Sequence, residues 1–240
     1  MKSVCIGDMK LEVPIIQGGM GVGISLGNLA GHVAKNGGMG VISTAHPGYR
    51  AEDFEKNPTE VNKRELAKEI QKAKEIAKGK GMVAINAMVA VTDYAQMVVV
   101  AIKNKIDAII SGAGFPMNLP GFVKGTKVKI APIVSSGKAA RLICKTWDRR
   151  YHVAPDFVVI EGSEAGGHLG FHKEDVLNKT TAKLADIFKE VKETLQPFVE
   201  KYQKEIPIFV AGGVYDADDI KQFMDLGADG VQMATRFICT

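Results

Sequence analysis

Short apolar, β-branched runs alternate along this chain with longer stretches in which apolar residues return every three or four positions. The short runs predict strands at Ile15-Ile16, Gly40 to Ser43, Met82 to Met88, Ala108 to Ser111, Lys129 to Val134, Phe157 to Ile160, Ile208 to Ala211 and Gly230 to Met233. Helical sequence between them implies parallel strands joined by right-handed crossovers. Eight such strands suit a closed barrel better than an open sheet, so the expected fold class is α/β, a (β/α)8 TIM-type barrel. Among the helices, Thr59 to Lys78 sets Val61, Leu66, Ile70, Ala73, Ile76 and Ala77 on one stripe. Asp216 to Leu226 opens on a capping aspartate and stops before Gly227, and Ser25 to Asn36 stops at Gly37-Gly38. Thr240 comes directly after the eighth strand. The expectation is therefore one barrel domain over residues 1–240, truncated after that strand and lacking its final helix. Val231 and its apolar neighbours are then expected to be exposed unless a partner chain or further sequence covers them.

Composition narrows the functional classes. With 46% apolar residues in 240, the chain has ample material for one sizeable core. The net charge is +4, but the basic residues are interleaved with acids in segments such as Lys63 to Lys80 and Lys183 to Lys204. Those are solvated helix faces rather than a one-signed stripe, and with only 7% aromatic residues no nucleic-acid partner is expected. Cys5, Cys144 and Cys239 form no CxxC and are odd in number, which points to a reducing compartment. Met1 to Asp8 lacks the apolar core of a signal peptide, and no apolar run approaches the roughly 20 residues of a membrane helix. A cytoplasmic protein with no membrane partner is expected.

The unusual residues follow the strands. Gln17-Gly18-Gly19-Met20 comes after the first, Asn86 lies at the third, Ser135-Ser136 follows the fifth, Glu161 to Gly170 the sixth, Gly212-Gly213 the seventh, and Gln232-Met233-Ala234-Thr235-Arg236 closes the eighth. In a parallel barrel these ends share the face where active sites sit, so the segments are expected to converge on one pocket. Paired glycines let the backbone approach a phosphate, and the loops after the seventh and eighth strands are where such barrels often hold one. Thr235 is a better candidate for contact than Arg236, which can equally support a neighbouring group. Met20 can lie against a flat ring or simply fill core space. Asn86 needs hydrogen-bond partners that a ligand or nearby backbone can supply. Of the histidines, His32 and His152 read as surface groups, and His46 and His172 as loop residues able to border the pocket. Only His168 comes with the flanking Gly166-Gly167 and Gly170 that can set an imidazole at its mouth. No His or Cys cluster has metal-ligand spacing, so no catalytic metal is expected, and a Ser-His-Asp hydrolase is not expected either.

Taken together and in order, Pro14 to Met20, Gly37 to Gly40, Glu161 to Gly170, Ala211 to Gly213 and Gln232 to Phe237 resemble the nitronate monooxygenase family, formerly 2-nitropropane dioxygenases, and the similar flavin-dependent enoyl-acyl carrier protein reductases II. The resemblance spans essentially the whole chain. It implies a barrel that binds FMN without a covalent bond and oxidises alkyl nitronates with dioxygen to a carbonyl compound and nitrite. Carried over by position, Gln17, Gly18, Gly19 and Met20 border the flavin ring and Asn86 and Glu161 touch the flavin. Gly166, Gly167, Gly212 and Gly213 offer backbone contacts, and Gln232, Met233, Ala234 and Thr235 wrap the phosphate end. His168 matches the active-site histidine and would pair with the nitronate oxygens or act as base. Relatives often carry Gln where this chain has Glu161, and Gly where it has Ala234. Two alternatives stand beside this one: an NAD(P)H-dependent enoyl-thioester reductase, and a truncated flavin-binding protein without turnover. The expected partners are a small substrate, alkyl nitronate or enoyl thioester, and dioxygen, with room left for a homo-oligomer.

Overall fold

In the computed structural model, which describes residues 1–239, eight parallel strands close on themselves. They are β3 (Ile15–Gln17), β4 (Met39–Ser43), β5 (Met82–Met88), β6 (Ala108–Gly112), β7 (Lys129–Val134), β8 (Val158–Glu161), β9 (Ile208–Ala211) and β10 (Gly230–Met233), the last pairing back onto β3. This is the (β/α)8 TIM-type barrel that the periodicity implies. The crossovers carry α1 (Gly27–Lys35), α2 (Pro58–Ala77), α3 (Tyr94–Lys103), α4 (Leu119–Val123), α5 (Gly137–Tyr151), α6 (Lys173–Leu177), α7 (Leu184–Tyr202) and α8 (Ala217–Asp225). No described helix is long and apolar enough to cross a membrane.

The two-residue alternation of each strand sorts the core into two layers. In β5, Met82 and Ala84 point into the barrel, while Val83 and Ile85 meet the helices outside. Inside, Phe157 and Phe209 pack edge to face with centroids 5.7 Å apart, among Ile16, Met39, Val41 and Ile110. Outside, the stripe of α2 buries Val61, Leu66, Ile70, Ala73 and Ala77. That helix starts where Asn57 accepts a hydrogen bond from the Glu60 amide and Pro58 supplies a preset first turn.

The floor of the barrel comes from two strands too short to leave a periodic signal, β1 (Val4–Ile6) and β2 (Met9–Leu11). This antiparallel hairpin sends Ile6 and Leu11, both fully buried, into the inner core, and Asp8 at its turn pairs with Lys129 of β7 at 2.5 Å. Burying each aliphatic side chain is worth about 1.5–3 kcal/mol, ample to hold so short a hairpin against the barrel.

Three aspartates fasten the strand starts. Asp107 accepts a hydrogen bond from the Val83 amide, Asp156 from Ile130 and Asp229 from Ile208, each at 2.8 Å. Each carboxylate thus ties its own strand to the preceding one, and Lys74 and Lys204 pair with the free oxygens of Asp107 and Asp156. After β10 the chain makes one further helical turn, α9 (Thr235–Ile238), where no helix was expected. Val231, expected to be exposed, is fully buried: Phe237 of that turn and Phe223 of α8 pack on the outer core it belongs to.

Candidate functional site

A cavity of about 620 Å³ opens at the carboxyl ends of the strands, within the size range of cofactor and substrate sites. Its wall gathers residues that lie far apart in sequence: Gly18, Gly19 and Met20 after β3, Asn86 on β5, Glu161 to His168 around the end of β8, Gly212 and Gly213 after β9, and Gln232, Ala234 and Thr235 at β10. Twelve of the fourteen expected cofactor contacts, and His168, therefore border one space: Gly18, Gly19, Met20, Asn86, Glu161, Gly166, Gly167, Gly212, Gly213, Gln232, Ala234 and Thr235.

The other two expected contacts, Gln17 and Met233, do not line the cavity. Gln17 is fully buried. Its Nε2 donates to the Gly18 carbonyl at 2.5 Å and to Ser25 Oγ at 2.7 Å, and its Oε1 accepts from the Val41 amide at 3.1 Å. Ser25 Oγ also accepts from the Met20 amide and donates back to the Gly18 carbonyl. This buried network holds the loop that carries Gly18 to Met20 along the cavity. Met233 lies one position beyond inward-facing Gln232, so the strand alternation turns it into the outer core.

Other expectations are also redirected. Ser135 and Ser136 do not border the cavity; Ser136 caps α5 by accepting from the Ala139 amide at 3.2 Å. His46 sits beside Phe54 and Asn62, and His172 precedes α6, so neither borders the pocket. His32 and His152 are exposed as expected. Arg236 lies over the Tyr215 ring and its Nη1 donates to the Tyr215 hydroxyl at 3.3 Å, the supporting role open to it. Among the described residues no group of His, Cys, Asp or Glu is arranged to hold a metal ion.

Two backbone features shape the wall. A Cβ on Gly19 would stand 2.3 Å from Asn86 Cβ, so only glycine lets this loop pass across the asparagine. Gly212 and Gly213 have φ of +96° and +76°, a region L residues rarely occupy, and this turn follows β9 directly. The Glu164 carboxylate lies against Gly213.

The polar groups facing the cavity are under-partnered. Gln232 Oε1 is buried with no hydrogen-bond donor among the described residues. The Asn86 side-chain amide borders the same cavity and makes no hydrogen bond among the described residues. Glu161 is half-buried and has no counter-ion among the described residues, and that burial pushes its carboxyl up to about 7. The lining contains Glu161, Glu164 and His168 but no lysine or arginine. Sequence reading missed this charge balance and Glu164; the spacing Glu161-x-x-Glu164 was visible, but not that both would face one cavity.

Comparison with known proteins follows the same outline. The family model described as nitronate monooxygenase matches residues 2–240. A "Probable nitronate monooxygenase" of Staphylococcus saprophyticus is 39% identical over 83 residues, 35% of this chain and 21% of the relative. An octahydroindene-carboxyl-CoA dehydrogenase of Rhodococcus jostii is 24% identical over 230 residues, 96% of this chain and 53% of the relative. The solved structure of FabK from Thermotoga maritima superposes with a TM-score of 0.71 at 26% identity, covering 96% of this chain and 60% of that one. Where the match runs over nearly the whole chain, it spans only a little over half of these proteins' length. With the family model running almost end to end over a closed barrel that brings its signature segments to one cavity, the chain belongs to the nitronate monooxygenase family.

Proposed function

We propose that this chain is an FMN-dependent oxidoreductase that converts alkyl nitronates and dioxygen to a carbonyl compound and nitrite. The observation that carries this reading is the set of polar groups left unpartnered at one cavity, Gln232 Oε1 and the Asn86 amide, beside the glycine-lined turns at Gly19 and Gly212-Gly213. Such groups fit a flat heterocycle with donors and acceptors on its edge, and the turns accept the close approach of a phosphate. FMN, when bound, supplies the electron transfer between nitronate and dioxygen. Gly18 to Met20 would lie along the ring, Asn86, Glu161 and Gln232 would meet its polar atoms, and the backbone of Gly212, Gly213 and Thr235 would hold the phosphate end.

His168 is the substrate residue. It is the only side chain in the lining that can carry a positive charge, so the negative oxygens of a nitronate have one electrostatic partner there and the Glu164 carboxylate to avoid. In its neutral form the same imidazole can take the proton from a nitroalkane. The mobile electrons come from elsewhere; the protein's part is to orient the anion and control one proton.

The test is direct. Purified protein should be yellow, release FMN identified by mass, and form nitrite from propionate 3-nitronate in air. His168→Ala should keep the flavin and lose roughly 10²-fold or more of kcat/KM. Full turnover in that variant removes the role given to His168, and colourless protein that refuses added FMN removes the flavin.

A second reading, an NAD(P)H-dependent reductase of acyl thioesters, draws support from the likeness to FabK and to the carboxyl-CoA dehydrogenase over nearly the whole chain. Rapid anaerobic bleaching of the flavin by NADH, with slow nitronate oxidation, would select it.

A further inference from the structure

Strands β8, β9 and β10 place Glu161, Ala211 and Gln232 in a single hydrogen-bonded row, Glu161 opposite Ala211 and Ala211 opposite Gln232. All three face the cavity. Neighbouring strands are about 4.8 Å apart, so the outer two residues stand about 10 Å apart with a single methyl group between them. That is room for the edge of a flat polar molecule, flanked by one carboxyl and one carboxamide. The carboxamide oxygen is buried and lacks a donor. The carboxyl makes no hydrogen bond and no ion pair with any described residue.

The charges around this row decide the state of the carboxyl. Apart from Glu161, the titratable groups in the lining are Glu164 and His168, both exposed on the loop after β8. The lining residues from β3 to β7, β9 and β10, and from the turns after them, contribute none. An ionised Glu161 would thus be half-desolvated, without a permanent cation in the lining, on the same stretch as a second carboxylate. The neutral acid avoids that cost and gains an O–H donor.

We propose that Glu161 engages the flavin as the neutral acid, so that Glu161 donates and Gln232 Oε1 accepts on either side of Ala211, and flavin affinity is coupled to a proton on this chain. This inference rests on the flavin reading above. Glutamine can present the same donor at every pH, whereas glutamate presents it only when protonated.

The experiment is a fluorescence-quenching titration of flavin-free protein with riboflavin and with FMN between pH 5.5 and 8.5. Riboflavin has no phosphate, so its curve is free of the ligand's own titration. For the wild type, the riboflavin Kd should climb toward tenfold per pH unit once Glu161 ionises. For Glu161→Gln it should stay level, and at pH 8.5 this variant should bind several-fold more tightly than wild type. Glu161→Ala should also be level, at weaker affinity. Any dependence contributed by His168 or Glu164 persists in all three proteins and cancels in the comparison. Parallel wild-type and Glu161→Gln profiles overturn the inference while leaving the flavin reading intact. Failure of all three proteins to bind either ligand at every pH overturns both.

Discussion

Glu161 ends β8 at a place where burial is cheap for a proton carrier and costly for a charge. Burial pushes its carboxyl up from the ordinary 4.5 to about 7. The sign follows from which state holds more protons. Between those two values the folded chain keeps a proton that the unfolded chain has lost, so stability falls as pH rises through this window and then levels off. At about 1.4 kcal/mol per pH unit the penalty above pH 7 is on the order of 3 kcal/mol at most, and less to the extent that solvent reaches the carboxyl. Glu161→Gln should remove it, raising the melting temperature at pH 8 while leaving it nearly unchanged at pH 4.5. Equal shifts at both pH values would contradict the account. The residue itself stood out in the sequence, at the head of a glycine-rich segment; its missing counter-ion did not, because that depends on what seven other strands and their turns bring to the cavity. Gln17 shows the opposite case. Its neighbours pointed to a ligand site, yet its amide is consumed by Ser25, Gly18 and Val41, and no local pattern announces a partner 24 residues away.

For whole elements, what was legible followed length. The strands and the long helices repeat their pattern often enough to be read: α2 was expected at Thr59 to Lys78 and spans Pro58–Ala77. The hairpin of β1 and β2 has three residues per strand and was invisible, although it supplies the floor of the barrel. The aspartates before β6, β8 and β10 were equally silent, since an aspartate ahead of a strand also reads as turn. Asp156→Ala should leave the buried Ile130 amide without its carboxylate acceptor and Lys204 without its partner. Urea unfolding should then show a loss of roughly 1–3 kcal/mol, most of it absent in an Asp156→Asn variant that keeps an acceptor oxygen.

Across the whole molecule, order is unevenly distributed. The barrel is bonded at its base and packed on both sides of its wall, while the loop after β8 is held far more lightly. Gly166 and Gly167 have open space around them, α6 buries no side chain, and the clasp between Ser163 and Thr181 is a single hydroxyl contact at 2.9 Å. A limited protease should therefore nick residues 164–180 first, and saturating FMN should slow the cut several-fold if the loop closes over the ligand. First cleavage elsewhere, or a rate indifferent to FMN, would contradict this. The sequence announced this segment as the chemical centre because glycine and histidine are conspicuous there. Its light attachment, Phe171 against the outer core and one hydroxyl contact, depends on neighbours distant in sequence.

The aspartate stitches have a consequence for how the chain can be divided. Each joins a strand to the one before it, β6 to β5, β8 to β7 and β10 to β9, so six of the eight strands form couples with unstitched seams between them. A break at the exposed glycine of the 124–128 turn falls on such a seam and leaves every couple whole. A break just ahead of Asp156 leaves the two fragments a charged handle by which to find each other.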